Sequence, residues 1–254
     1  MVPKWIQRGI LASTATLLTA GLVGSGCTVD QESQLFIRQV VAVVQPDCVA
    51  RAEPDAAAVI SGTLDVSLAQ EYKASLLIGN QLVSRGSTDQ VRTETSRISF
   101  KSAEVRITAA SDGSELSAFT VPVTGFADNA LNQEPGYGVA SLPLIDRGAL
   151  GALGTLPRNE LRRVIATVKV TGRTLGGSDV TSNEFAFVIQ VCRGCLVQFT
   201  ADDDDPLQDG PDCFGPGAAA TSVSTTASCF GGQDSYVSCQ TCKNISPECQ
   251  RPTN

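Results

Sequence analysis

Six separate runs of this chain carry apolar residues at every second position. They are Leu64, Val66 and Leu68; Tyr72, Ala74, Leu76 and Ile78; Val105, Ile107 and Ala109; Phe119, Val121 and Val123; Val164, Ala166, Val168 and Val170; and Phe185, Phe187, Ile189 and Val191. A period of two puts such residues on one face of a pleated strand, so each run predicts a strand with one buried side. A further β-rich run, LFIRQVVAVV at 35–44, turns at Pro46–Cys48. Turn-forming residues fall between the runs at Ser111–Ser114, Pro135-Gly136 and Gly176–Asp179, where Gly, Asp and Ser favour tight reversals. The runs at 164–170 and 185–191 are therefore expected to form an antiparallel pair. One short helix is expected within 145–163, starting near Pro157 in the segment NELRRV. Seven or more short strands with regular turns predict an all-β chain, an Ig-like or fibronectin-like β-sandwich over residues 35–199. The antibody-type Cys…Trp…Cys pattern is absent.

The first 26 residues do not belong to that pattern. Lys4 and Arg8 precede an uncharged, mildly apolar stretch at 9–23, and small residues at 24–26 lead to Cys27. This is the layout of a secretory signal, too short and too rich in Thr and Ser for a membrane span of ~20 apolar residues. A cysteine directly after the small residues resembles the lipobox of bacterial lipoproteins, although Gly24 stands where that family favours Leu. The resemblance implies cleavage before Cys27, acylation of Cys27 and a short tether at 27–34. Cleavage would leave 17 basic against 26 acidic residues, a net charge of about −9. Such an acidic surface repels phosphate backbones, so nucleic acid is excluded as a partner. The implied location is the cell envelope, at the outer membrane on its periplasmic or surface face, with membrane contact through the N-terminal lipid.

Residues 200–254 change in composition, being poor in aliphatic residues and rich in Gly, Ser, Thr and Pro. A segment that cannot order itself by burial needs cross-links. Eight cysteines are disulfide candidates: Cys48, Cys192, Cys195, Cys213, Cys229, Cys239, Cys242 and Cys249. Cys27 makes the total odd, and a lipid thioether on Cys27 would restore an even set. The tail is thus expected to be loop-rich and stapled. The segments IRQVVAVVQPDCV, ASLLIGNQLVSRG and CFGGQDSYVSCQTC resemble surface lipoproteins of myxobacteria, a likeness that implies no particular activity.

Two C-x-x-C pairs, Cys192/Cys195 and Cys239/Cys242, raise the question of metal or redox chemistry. The 43 residues between them exceed the ~15–20 usual for a four-thiolate zinc site. CRGC follows a strand rather than opening a helix, where a dipole would activate a thiolate. Structural disulfides are the expected outcome. Asp202, Asp203, Asp204, Asp205 and Asp209 are candidate calcium ligands, but their spacing lacks the D-x-[DN]-x-[DN]-G order and reads as an acidic linker. The chain has no His; Ser-His-Asp, Cys-His and His-zinc catalysis are therefore impossible. No cofactor and no catalytic residue is assigned. The expected function is a non-catalytic, lipid-anchored β-sandwich with structural or binding roles toward a protein or glycan. The alternatives are a thiol-disulfide or metal-binding envelope protein using the C-x-x-C pairs, and a glycan-binding module. If residues 36–44 run parallel to 185–191, as first and last strands often do in Ig-like sandwiches, Cys48 would bond Cys192 or Cys195. The other member of CRGC would then bond a tail cysteine.

Overall fold

The computed structural model describes residues 34–86, 93–132, 134–158, 160–199 and 229–249. In chain order the strands are β1 (Leu35–Val41), β2 (Val43–Val44), β3 (Val49–Ala50), β4 (Ala58–Val59), β5 (Ser61–Asp65), β6 (Tyr72–Asn80), β7 (Ile98–Ala109), β8 (Glu115–Pro122), β9 (Phe126–Ala127) and β10 (Gly136–Ile145). After helix α1 (Arg147–Leu153) come β11 (Leu161–Thr174), β12 (Asp179–Thr181), β13 (Phe185–Cys192), β14 (Val197–Gln198) and β15 (Val237–Ser238), then α2 (Cys239–Cys242).

One sheet has the order β10-β6-β1-β4; a larger one has β5-β13-β11-β7-β8, with β12 and β9 joining β11 and β7. Their inner faces share a single hydrophobic cluster. Leu35, Ile37, Leu76 and Ile78 enter it from the first sheet, and Val105, Val168, Phe187 and Ile189 from the second. The Tyr72 and Phe187 rings meet across the layers with centroids 6.0 Å apart. The all-β sandwich expected from the alternation is therefore the architecture found. All four alternating residues of 164–170 are fully buried, and β11 pairs antiparallel with β13 as expected.

Two bulges explain why other strands were harder to read. In β1 the core side passes from Leu35 and Ile37 to Val40, because the pairing with β6 skips Arg38. In β7 it passes from Ile98 and Phe100 to Ala103, Val105 and Ile107, because the pairing with β11 skips Lys101. One extra residue in a strand reverses the face on which every later side chain lies.

Three expectations need correction. Gly136 is not a turn residue; it opens β10, which pairs with β6 through Ile145. Pro143 is tolerated because β10 is an edge strand. Gly138 is required because any Cβ there would overlap the Phe126 carbonyl. Second, the helix starts earlier than Pro157. The Asp146 carboxylate accepts the Ala149 N–H at 2.9 Å, and the helix stops at Gly154, whose φ of 71° suits glycine. The segment LRRV instead starts β11, where hydrogen bonding to β7 and β13 on both sides overrides its helical propensity. Third, β1 does not pair with the last strand of the sandwich. It lies between β4 and β6, and β5 is the strand parallel to β13.

Candidate functional site

Parallel β5 and β13 end at one pole, with Asp65 in register with Cys192. Asp65 is fully buried. A buried carboxylate is stable only when its oxygens are well supplied with donors. Here Oδ1 accepts the Ser67 N–H (3.0 Å), the Ser67 hydroxyl (2.6 Å) and the Gly194 N–H (2.8 Å), while Oδ2 accepts the Leu196 N–H (3.0 Å). Asp65 thus fastens the CRGC loop to the end of β5. The loop closes with a Cys192–Cys195 disulfide, Cα–Cα 5.9 Å, and Gly194 takes a φ of 78°. Left-handed backbone of this kind favours glycine.

Residues 229–249 dock onto this pole and extend its polar network. The Asp65 N–H donates to the Gly232 carbonyl (2.9 Å), and the Asp234 N–H to that of Thr63 (3.0 Å). In return the Thr63 N–H donates to Asp234 Oδ1 (2.7 Å), and the Tyr72 hydroxyl to Asp234 Oδ2 (2.7 Å). Burial pushes the Asp234 carboxyl above the usual carboxylate range, against the lowering effect of the Tyr72 hydrogen bond. Burial, with the neighbouring Asp234 charge, also pushes the Tyr72 phenol well above its ordinary value. The Gln233 side chain copies a strand partner: its amide accepts the Lys73 N–H at 2.9 Å and donates to the Lys73 carbonyl at 2.8 Å. Farther along, β15 pairs in parallel with β14.

Glu248 completes the docking. Its side chain is 9% exposed and lies between Arg158 Nε (3.4 Å) and Arg193 Nε (2.8 Å). Arg158 also donates to the Glu248 carbonyl at 3.0 Å. Beside it a satellite apolar cluster gathers Val197, Cys239, Cys242 and Cys249, with Leu68, Phe199 and Val237 against it.

The cysteines are joined differently from the expectation. Cys48 bonds Cys229 (Cα–Cα 5.4 Å) rather than Cys192 or Cys195, and Cys242 bonds Cys249 (5.8 Å). Cys239 is disulfide-bonded as well. The reason is topological: with β5 beside β13, the β2–β3 hairpin carrying Cys48 belongs to the other sheet's connection. The tail is still stapled, but through Cys48 instead of CRGC. Cys27, Cys213 and the candidate calcium ligands Asp202, Asp203, Asp204, Asp205 and Asp209 lie outside the described residues.

Asp65, Cys192 and Cys195 are the one group among the described residues close enough to share a metal ion, their ligand atoms lying within 4.8 Å. In this structure the two sulfurs are bonded to each other and supply no thiolates. Were the pair reduced, the adjacent carboxylate would oppose a thiolate by like-charge repulsion, and Arg193 is already engaged by Glu248. The geometry fits a structural staple better than an exchanging dithiol. Asp65, Asp234 and Glu248 carry this site, and none stood out in the sequence, because most of their partners lie far away along the chain.

No family model matches the chain, and no curated protein does. Among solved structures, a protein assigned to the late embryogenesis abundant (LEA) class, known from a solution structure, is similar over 52% of this chain and 71% of its own. The identity is 10% and the TM-score 0.30. A likeness that shallow decides neither fold nor function.

Proposed function

We propose that this chain is a non-catalytic, lipid-anchored protein of the cell envelope, held through an acylated Cys27 and presenting its sandwich to solvent or to a partner. The observation that carries this reading is the state of the cysteines. All seven in the described residues are disulfide-bonded, including one bridge across a separation of 181 residues. Disulfides of this kind persist in oxidising compartments, in agreement with a secretory signal at the N-terminus. Among the described residues no helix is long and apolar enough to cross a membrane, and a lipid at Cys27 would supply the anchor. An anchor of a single acyl chain is marginal, whereas two or more hold firmly, as the lipobox likeness implies. The outer membrane is the proposed address.

Fractionation of cells expressing wild type and Cys27→Ala tests the anchor. The wild type should sediment with membranes, and the variant should move to the soluble envelope fraction. Equal sedimentation of both would remove the lipid from the account.

A further inference from the structure

A cleft of about 570 Å³ opens between α1, the turn that follows β5, and the Ser246-Pro247 turn of the docked C-terminal segment. That is within the ~300–1,000 Å³ typical of small-molecule sites. Its apolar lining comes from Val66, Leu150 and Leu156, and its charges are the guanidiniums of Arg147 and Arg193. Among the described residues no carboxylate lines it, although the chain carries 26 acidic against 19 basic residues. Glu248 balances the charge of Arg193, so the positive charge this cleft offers an anion on an otherwise acidic protein is that of Arg147, with the remaining N–H groups of Arg193 beside it. Arg193 is held in place by Glu248 at 2.8 Å. Arg147 is exposed and makes no ion pair among the described residues, so its charge is available to a ligand.

We propose that this cleft binds a small amphipathic organic anion, with a carboxylate head against Arg147 and Arg193 and an alkyl or aryl body against Val66, Leu150 and Leu156. Guanidinium groups suit a carboxylate because their planar N–H groups match its two oxygens. The apolar wall rewards a body that a bare inorganic anion lacks. This inference does not depend on how or where the chain is anchored.

Gly151 offers a direct way to close the cleft. It lines the cleft, and a Cβ built on it meets no atom within 4 Å. A side chain there meets no neighbouring atom at its Cβ, and replacing a helical glycine favours the helix, so a large residue at this lining position is the variant chosen to block the cleft. The test is isothermal titration calorimetry of the full chain with 4-phenylbutyrate, its uncharged analogue 4-phenyl-1-butanol, and butyrate. The wild type should bind phenylbutyrate, with the alcohol and butyrate each weaker by about fivefold or more, the effect of losing one charge-assisted contact or the apolar body. Arg147→Gln should weaken phenylbutyrate binding about fivefold and leave the melting temperature unchanged. Gly151→Phe should abolish binding, with a melting temperature equal to or above that of wild type. Three results would overturn the proposal: no heat with the wild type, equal binding of acid and alcohol, or unchanged binding in Gly151→Phe. If Gly151→Phe fails to fold, Arg147→Gln alone decides, since unchanged binding in that exposed-site variant would equally refute the site.

Discussion

Replacing Asp65 by Asn keeps the shape of the side chain and removes its charge. The amide oxygen can take the place of Oδ1 and still accept from Ser67 and the Gly194 N–H. The amide nitrogen then replaces Oδ2, where the Leu196 N–H donates at 3.0 Å, so two donors face each other in a buried space. An orphaned buried donor costs ~1–3 kcal/mol, and bonds to a charged acceptor are worth more than those to a neutral one. Release of a buried charge works in the opposite direction, but this carboxylate is fully supplied with donors and its desolvation is already offset. The net expectation is a loss of about 3 kcal/mol. For a fold of this size ~1 kcal/mol shifts the melting temperature by ~2–4 °C, so Asp65→Asn should melt about 6–12 °C below wild type. Circular dichroism melts of the oxidised proteins at pH 7 measure the shift, and hydrogen exchange should show faster exchange at the Gly194 and Leu196 amides. A shift below about 2 °C with unchanged exchange would show that Asp65 does not hold the CRGC loop, and the polar account of this pole would fail.

Removing the long staple with Cys48→Ser and Cys229→Ser together frees a loop of 181 intervening steps, and the chain-entropy relation gives a loss of about 5 kcal/mol as an upper value. Urea denaturation should place the double variant level with either single one; an additive loss would mean that the two cysteines are not partners. Asp234 sets a pH dependence. Its folded carboxyl is raised by burial, so its contribution to stability is fully present below its unfolded pKa and is lost as pH rises through the folded value. Wild type should therefore lose ground to Asp234→Asn between pH 4 and pH 7 in paired thermal melts, and a gap that stays constant or moves the other way would contradict a buried, raised Asp234.

The sandwich was legible because most of its strands obey a strict period of two, as in Val164, Ala166, Val168 and Val170. Legibility failed where one residue interrupts that period. The bulges at Arg38 and Lys101 reverse the buried face in mid-strand. In β10, Pro135-Gly136 looks like a turn, yet Gly136 and Gly138 lie in a strand and admit the close passage of the Asp128 and Phe126 backbone. The pole was harder still. Asp65 sits directly after buried Leu64 and reads as an outward polar residue; its loop donors, Gly194 and Leu196, lie 129 and 131 residues later. Asp234 finds Thr63 and Tyr72 at separations of 171 and 162 residues. No local pattern encodes such pairings. The C-x-x-C spacing and the strand before CRGC pointed to structural disulfides, but not to a Cys192–Cys195 bridge with Asp65 beside the sulfurs.

The most direct test of the whole account is mass spectrometry of peptides from native protein, alkylated before digestion and kept unreduced. The account predicts an N-terminal peptide that begins at Cys27 and carries acyl chains. It also predicts linked peptides for Cys48–Cys229, Cys192–Cys195 and Cys242–Cys249, with no alkylated cysteine. An unmodified Cys27 preceded by residues 1–26, together with alkylated Cys192 and Cys195, would contradict both the envelope anchor and the structural staple.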